Sequence, residues 1–229
     1  MSSHTAPQQK PILYAYFRSS CSWRVRIALA VKGIEYELRP VQIVQGEQRK
    51  DEYLALNPGG KVPTLVIPPE SGSNHPPVAI HQSTAILEYL EEAYPDHTPM
   101  LPKTPVDRAR VRAIMGLVAE DIQPLQNLSI LQHFHDRPED KAQWIEQYVG
   151  KGLEAVETIL KNTAGTYAFG DTVSMADALI IPQCHSARRF NLDMNRFPTI
   201  LRVEAAASAL PSFQAASYQA QPDCPEELR

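Results

Sequence analysis

Residues 16–29, written YFRSSCSWRVRIAL, concentrate the side chains best suited to chemistry. Ser19, Ser20 and Cys21 are three small side chains of the nucleophile type, and they stand between a predicted strand and an apolar run with helical spacing. The unpaired amides and positive dipole end of a helix N-terminus favour an anion. The turn therefore predicts an anion-binding site, and it leaves open which of these three side chains, if any, does chemistry.

Cys21 could indicate redox chemistry, but Arg24 stands where a CxxC motif needs its second cysteine. A dithiol mechanism therefore has no resolving partner. The other cysteines, Cys184 and Cys224, make an odd number with wide spacing. A disulfide framework of the secreted kind is not expected, and we predict a cytoplasmic location.

A metal site is also not expected. His133 and His135 are alternate residues of a predicted helix, so their side chains point to different sides and cannot share a metal. The sequence contains no CxxC or HExxH motif that would complete such a site. We interpret both histidines as solvated or polar-packed side chains.

The composition is that of an ordinary globular protein. The 229 residues are 43% hydrophobic and 21% charged, with a formal net charge of −4, so a polybasic nucleic-acid binder is excluded. No apolar stretch is long enough to span a bilayer, and the first ten residues have no hydrophobic core for export. We therefore expect no nucleic-acid partner, no membrane partner, and a disordered tail over residues 1–10.

The first part of the chain predicts an α/β domain over residues 11–95. A strand at 11–17, a helix at 23–32 ended by Gly33 and a strand at 34–43 form a crossover unit with two parallel strands. A polar, partly helical stretch at 46–56 then leads to an antiparallel hairpin built from 57–67 and 77–83. A helix at 83–92, ending before Pro95, should cover the sheet.

Residues 95–104 are rich in prolines and turn residues, and everything after them predicts helix. Thr104 is a predicted N-cap, and Ser174 with Asp177 forms a predicted capping box. A buried bundle stripe is indicated by apolar residues at intervals of three and four: Ala142, Ile145, Val149, Leu153, Val156 and Leu160. The fold class is thus α/β plus all-α, with a helical domain over residues 104–229.

A two-domain plan of this kind, together with specific motifs, resembles the zeta class of the glutathione transferases. The motifs that carry the resemblance are SSCSWRVR, LNPGGKVPTL, HQSTAILEYLEE, IQPLQNLS, TVSMADALIIPQ and RRF, in that order from about Pro11 to Arg229. The loop at 68–77 and the N-terminal tail depart from the pattern. The resemblance implies a thioredoxin-like domain followed by a helical bundle domain, glutathione as cofactor, and a homodimer.

The resemblance assigns to Ser19 a hydroxyl that donates to the glutathione sulfur, whereas an ordinary turn residue is the alternative. Holding a thiol as thiolate at neutral pH needs its pKa lowered by roughly two units, about 2.7 kcal/mol. A helix dipole supplies about 0.3 to 1 kcal/mol, or up to about 2 kcal/mol under partial burial, so a hydroxyl donor makes up the difference. Ser20 and Cys21 would contribute donors near the same sulfur, with Cys21 helping to position glutathione.

The remaining glutathione contacts are also carried over from the resemblance. It implies a cis peptide between Val62 and Pro63 that turns Val62 toward the cysteinyl part, and a γ-glutamyl carboxylate bound by Gln82 and Ser83. Gln48 would reach the glycyl end. The helical domain would add Gln123, Asn127, Leu128 and Ser129 beside a helix break at Pro124, although polar packing inside a helix is the alternative for Gln123 and Asn127.

On the substrate side, the resemblance places Arg189 in the cleft, where a guanidinium suits a dicarboxylate, and leaves Arg188 facing solvent. Arg18, Arg24 and Arg26 would add positive potential near the turn, with a helix-surface role expected for two of them. The implied activity is glutathione-dependent cis–trans isomerisation of maleylacetoacetate to fumarylacetoacetate in tyrosine and phenylalanine breakdown. The alternatives are conjugation or dehalogenation of small electrophiles such as α-haloacids, a noncatalytic binding module, and a glutaredoxin-like oxidoreductase.

Overall fold

The computed structural model describes residues 9–69 and 73–229. Their chain folds into two compact units, one running to His97 and also taking in Ala215–Arg229, the other formed by Thr98–Gln214. All but two residues of the predicted tail, and three residues of the loop at 68–77, lie outside the described residues. Within those residues, no helix is long and apolar enough to cross a bilayer.

The first unit contains a four-stranded mixed sheet with helices. Its elements are β1 (Ile12–Ala15), α1 (Ser20–Lys32), β2 (Glu37–Pro40), α2 (Asp51–Leu54), β3 (Thr64–Ile67), β4 (Val78–His81) and α3 (Ser83–Ala93). Two short 3-10 turns, Ile43–Gln45 and Glu47–Arg49, precede α2. The predicted crossover unit and hairpin are both present.

The strand order is β2-β1-β3-β4. Strand β1 is parallel to β2, with Ile12 opposite Glu37, and antiparallel to β3, which in turn is antiparallel to β4. The predicted parallel pair is confirmed. The two strands run in the same direction because helix α1 crosses over and carries the chain back to the end of the sheet where β1 began. Leu13 and Leu65 of the central strands are fully buried, and α1 and α3 supply the rest of this core, including Leu29 and Leu87.

Helix α1 begins at Ser20, three residues before the predicted start, because Ser19 is its N-cap and the following small residues belong to the first turn. Gly33, with φ +67°, ends the helix in the left-handed conformation. The expected surface role of two arginines is wrong. Arg24 is 2% exposed and Arg26 is 1% exposed, since both guanidinium groups find acceptors inside the first unit.

The second unit is helical, as predicted. Its elements are α4 (Pro105–Gly116), α5 (Leu128–Leu131), α6 (Pro138–Ile145), α7 (Lys151–Thr163), α8 (Met175–Arg189) and α9 (Pro198–Ser208), with α10 (Pro211–Ala216) leading out of it. The side chain of Thr104 caps α4, as predicted. The bundle stripe is buried from Ile145 to Leu160, whereas Ala142, in the middle of α6, is exposed.

The predicted capping box at α8 is present. The backbone N–H and the hydroxyl of Ser174 both donate to Asp177 Oδ2, at 2.8 and 2.9 Å, and Ala168 N–H donates to Oδ1 at 2.8 Å. Burial raises the pKa of Asp177 to about 6, against the opposing effect of these three donors. The carboxylate thus closes the N-terminus of a buried helix from within.

The C-terminal segment, Ala215–Arg229, belongs to the first unit, which differs from the expected helical domain over 104–229. Asp223 Oδ2 accepts from the Phe17 N–H at 2.9 Å, and the Tyr218 ring meets the Trp23 ring edge-on with centroids 5.7 Å apart. Cys224 is buried against Tyr16 and Phe17. Contacts with the β1–α1 turn therefore draw the last residues of the chain into this unit.

Candidate functional site

The β1–α1 turn presents an open helix N-terminus. Ser19 Oγ accepts from the Ser22 N–H at 3.1 Å, and the Ser19 carbonyl accepts the first helical hydrogen bond, from Trp23 N–H at 2.9 Å. The first turn of α1 contains no acidic residue. Because a hydroxyl has one proton besides its lone pairs, Ser19 can accept from Ser22 and still donate to an outside atom.

Ser20 and Cys21 are the first two residues of α1, and both side chains are half-buried. Helix geometry gives their amides no intrahelical acceptor, since the first such bond is made by Trp23. These two amides, the Ser19 hydroxyl and the positive dipole end belong to one short segment. The segment can stabilise a thiolate or another anion without a metal or a protein nucleophile.

Arg26 holds this turn in place. Its Nε donates to the Ala216 carbonyl at 3.0 Å and its Nη2 to the Phe17 carbonyl at 2.9 Å, and Nη1 reaches the Tyr16 carbonyl at 3.4 Å. Burial lowers the pKa of Arg26 to about 10. The Ser19 amide donates to the same Tyr16 carbonyl at 3.0 Å. Arg26 therefore fixes the backbone that carries Ser19, a role that the sequence did not reveal.

The Val62–Pro63 peptide is cis, as the resemblance implied. Val62 packs against the cluster of Tyr16, Phe17 and Cys224, so it lies beside the turn that carries Ser19. Two further side chains hold this segment: the Tyr53 hydroxyl and the Asn57 amide both donate to the Lys61 carbonyl, at 2.7 and 2.8 Å. Sequence reasoning missed both residues, although Asn57 belongs to the LNPGGKVPTL motif.

Gln82 and Ser83 form the start of α3. Gln82 has φ +70°, which is uncommon for a residue other than glycine. Such backbone conformations are concentrated at active sites and ligand-binding sites. Ser83 is buried as the first helical residue, and its Oγ accepts from Arg24 Nη1 at 3.1 Å. This hydrogen bond joins the second turn of α1 to the start of α3.

Gln48 provides a test of whether the site fits glutathione. It lies in the 3-10 turn Glu47–Arg49, and its Oε1 is buried with no hydrogen-bond partner among the described residues. A buried acceptor without a partner is costly unless a ligand or water supplies a donor. Glutathione carries amide donors, so this orphaned oxygen fits a peptide-like ligand.

In the second unit, the predicted residues lie around a bend. The chain leaves α-helical geometry at Leu117–Ile122, a π-helical segment, and continues as the 3-10 turn Gln123–Gln126, which contains Pro124. Asn127 caps α5, its Oδ1 accepting from the Leu128 N–H at 2.8 Å. Gln123 is half-buried, whereas Leu128 and Ser129 are exposed.

A buried amide pair that sequence reasoning missed also holds this bend. Gln126 and Gln183 exchange hydrogen bonds at 2.8 and 3.1 Å, which ties the bend to α8. Polar packing was the alternative considered for Gln123 and Asn127, but it is Gln126 that packs in this way. Polar residues lie on both sides of Pro124, and nothing in the sequence indicates which of them is buried.

Arg189 is the last residue of α8, exposed, with its guanidinium 5.7 Å from the centroid of the Phe190 ring. Arg188 is exposed too, but Glu204 binds it through both carboxylate oxygens. The ion pair with Glu204 thus engages Arg188, and the substrate-binding role of Arg189 stays a prediction. No group of three His, Cys, Asp or Glu side chains in the described part of the chain could hold a metal ion.

Comparisons with known proteins identify the family of this chain. Residues 18–93 match the family model of the glutathione S-transferase N-terminal domain, and residues 125–218 match that of the C-terminal domain. A glutathione S-transferase of the zeta class from Euphorbia esula is 46% identical over 214 residues, which cover 92% of this chain and 91% of the relative. The chain therefore belongs to the glutathione S-transferase family and, within it, to the zeta class.

Two similar proteins carry a more particular name. Maleylacetoacetate isomerase from Mus musculus is 48% identical over 222 residues, covering 96% of this chain and 98% of the relative. The crystal structure of maleylacetoacetate isomerase from Anaeromyxobacter dehalogenans 2CP-1, with bound dicarboxyethyl glutathione and citrate in the active site, is 39% identical. It superposes with a TM-score of 0.84 and covers 95% of this chain and 99% of that one.

Proposed function

We propose that this protein is an enzyme that converts maleylacetoacetate to fumarylacetoacetate by glutathione-dependent cis–trans isomerisation, in tyrosine and phenylalanine breakdown. The observation that carries the proposal is the α1 N-terminus, where Ser19 Oγ accepts from the Ser22 N–H yet keeps a proton to donate, and where the first turn of the helix contains no acidic residue. The names of the Mus musculus and Anaeromyxobacter dehalogenans relatives support the choice of substrate.

Each residue of the proposed site has one task. When bound, glutathione supplies a sulfur nucleophile that can add reversibly to a carbon–carbon double bond. The Ser19 hydroxyl and the amides of Ser20 and Cys21 stabilise the charge on that sulfur. The tripeptide itself is held by Gln48, Val62, Pro63, Gln82 and Ser83 in the first unit and by Gln123, Asn127, Leu128 and Ser129 in the second.

Arg189 is the proposed ligand of a substrate carboxylate, because a planar guanidinium can bind a carboxylate through two hydrogen bonds. The dicarboxyethyl group of the adduct in the Anaeromyxobacter dehalogenans protein supports a dicarboxylate substrate. In terms of domains, residues 11–95 with the C-terminal segment would bind glutathione, and the helical unit would bind the substrate.

We further propose that the protein is a homodimer in the cytoplasm. The three cysteines are free thiols, which suits a reducing compartment, and the assembly is carried over from the family resemblance. Light scattering at micromolar concentration tests the assembly: a dimer has twice the 25.6 kDa mass of the chain, whereas a species of chain mass alone would contradict it.

The test of the reaction is its stoichiometry. Isomerisation returns the thiol in every cycle, whereas conjugation consumes it. Glutathione at a concentration far below that of maleylacetoacetate should therefore support complete conversion to the trans product, with the free thiol unchanged at the end. If thiol disappears one for one with substrate, the protein is a conjugating transferase and the proposal is wrong.

The pair of neighbouring arginines sharpens this test. Arg189→Ala should slow isomerisation of the dicarboxylate more than attack on a small neutral electrophile, because only the anionic substrate loses a bidentate contact. Arg188→Ala is the matched control, since Arg188 is already paired with Glu204. Equal losses on both substrates in the Arg189 variant would remove its assignment.

A further inference from the structure

Helix α1 carries three buried cations, and one of them differs from the other two. Lys32 forms a buried ion pair with Glu91 at 2.8 Å, and the Arg26 guanidinium is bonded to three carbonyls. Arg24 is 2% exposed, yet within the described part of the chain its one hydrogen bond runs from Nη1 to Ser83 Oγ, and its Nε has no acceptor there. Over residues 9–69 and 73–229, no carboxylate lies within ion-pair distance of Arg24.

A buried guanidinium without a carboxylate is unfavourable for stability. Removing a charge from water costs more than a single hydrogen bond to a hydroxyl returns, and replacing such a group by an apolar one of similar size is often neutral or stabilising. A structural task would be met better by methionine or leucine. Arg24 therefore has the properties of a charge kept for a group that arrives from outside.

The position of Arg24 indicates where that group binds. Its one partner, Ser83, is the first residue of α3, and the left-handed Gln82 precedes it. The start of a helix favours a carboxylate. Because Ser83 Oγ accepts from Arg24, its own proton is directed to another acceptor, and a cation behind a hydroxyl makes it a stronger donor.

We propose that Arg24 is a positioning and charge-supplying residue for glutathione binding. It acts through Ser83 on the α-carboxylate of the γ-glutamyl group, whose negative charge compensates the buried guanidinium. The proposal rests on the proposed glutathione site and deepens it, because it names the group on the ligand that the buried charge selects. The structural cost of Arg24 is then recovered only when the ligand is bound.

The experiment compares two ligands on Arg24→Met, a neutral variant of similar length. One ligand is glutathione, and the other is 4-aminobutyryl-cysteinylglycine, which lacks only the α-carboxylate. Calorimetry should show the Kd for glutathione rising at least tenfold in the variant, while the Kd for the analogue changes less than twofold. Urea unfolding should show the variant to be as stable as the parent protein or more stable.

Two further variants serve as controls. Arg24→Lys keeps the charge and should keep most of the discrimination between the two ligands. Lys32→Met removes the neighbouring buried cation but strands Glu91, so it should lower stability while leaving the ratio of the two Kd values unchanged. If Arg24→Met does not fold, Arg24→Gln, which can still donate to Ser83, should show the same selective loss.

The outcomes separate this inference from the proposed function. If the parent protein binds glutathione but Arg24→Met or Arg24→Gln weakens both ligands equally, or neither, Arg24 is structural and this inference is overturned alone. A parent protein that binds no glutathione overturns the proposed function and this inference with it. A selective loss for glutathione, with stability retained, supports the proposal.

Discussion

Two helices of this protein begin with a serine N-cap, and the two ends differ in what satisfies their donors. At α8, Ser174 donates both its N–H and its hydroxyl to Asp177, the third helical residue. At α1, the third helical residue is Ser22, and Ser19 accepts from it rather than donating to it. The first turn of α1 has no acidic residue, whereas that of α8 contains its own anion.

The difference shows how one local motif serves two purposes. A carboxylate at the third position closes the helix start from within, and the end can then be buried, as Ser174 and Asp177 are. Without that carboxylate, the amides and the serine proton are available to an anion from outside, and the end stays half-buried, as Ser19 is. The α8 start is thus structural, and the α1 start is the candidate site.

The largest expected effect, on stability, comes from removing the Asp177 carboxylate that caps the α8 N-terminus. Asp177→Ala leaves three buried donors without an acceptor, at about 1 to 3 kcal/mol each, so the free energy of unfolding should fall by about 3 kcal/mol or more. Urea unfolding measures this, and Ser174→Ala should cost only about 1 kcal/mol. Both variants should keep normal turnover per folded molecule; a loss of turnover in folded protein would contradict a purely structural role.

The second-largest effect concerns Ser19 at the α1 N-terminus and should appear in catalysis. Ser19→Ala removes the proposed donor to the sulfur, so the pKa of bound glutathione should rise and turnover should fall tenfold or more, since a hydrogen bond to a charged group is worth about 1.5 kcal/mol or above. Thiolate absorbance across a pH series measures the pKa, and steady-state kinetics measure turnover.

Ser19→Ala also removes an N-cap, and a second variant separates the two losses. Ser19→Asp can still accept from the Ser22 N–H and should restore the free energy of unfolding, but it has no proton to give and should remain inactive. Cys21→Ala should keep substantial turnover with a changed glutathione affinity. Lost activity in the cysteine variant beside a nearly normal Ser19→Ala would instead favour a protein nucleophile.

The comparison also shows which parts of the molecule could be predicted from the sequence. The parallel strand pair and the hairpin follow from the order of neighbouring elements, the Ser174–Asp177 capping box follows from a spacing of three residues, and the structure confirms them. The burial of Arg24 and Arg26 could not be predicted. Arginine side chains on a helix are usually solvated, and the acceptors of these two, Ser83 and Ala216, are 59 and 190 residues away.

The same limit explains the C-terminal segment. Its place in the first unit depends on Asp223 meeting the Phe17 amide, a contact 206 residues apart, for which the sequence has no local signal. Buried polar pairs such as Gln126 with Gln183 are invisible for the same reason. Motif resemblance named residues for the candidate site, but it could not name the side chains that hold those residues in position.

The smallest expected effect comes from giving the α1 N-terminus an acidic residue, as the α8 N-terminus has. Ser20→Asp places a carboxylate in the first turn of α1, where it interacts favourably with the dipole, so the free energy of unfolding should stay the same or rise by about 0.3 to 1 kcal/mol. The same charge repels an incoming thiolate. Glutathione affinity should therefore fall several-fold, and the pKa of the bound thiol should rise.

Ser20→Asn is the matched control, because it has the same shape without the charge and should bind glutathione within about twofold of the parent protein. Calorimetry on both variants, at low and moderate salt, measures the charge effect as the difference between them. That difference should shrink as salt screens the half-buried carboxylate. Equal affinities for the two variants at low salt would mean that no anion binds at this helix start, and the contrast between α1 and α8 would then concern stability alone.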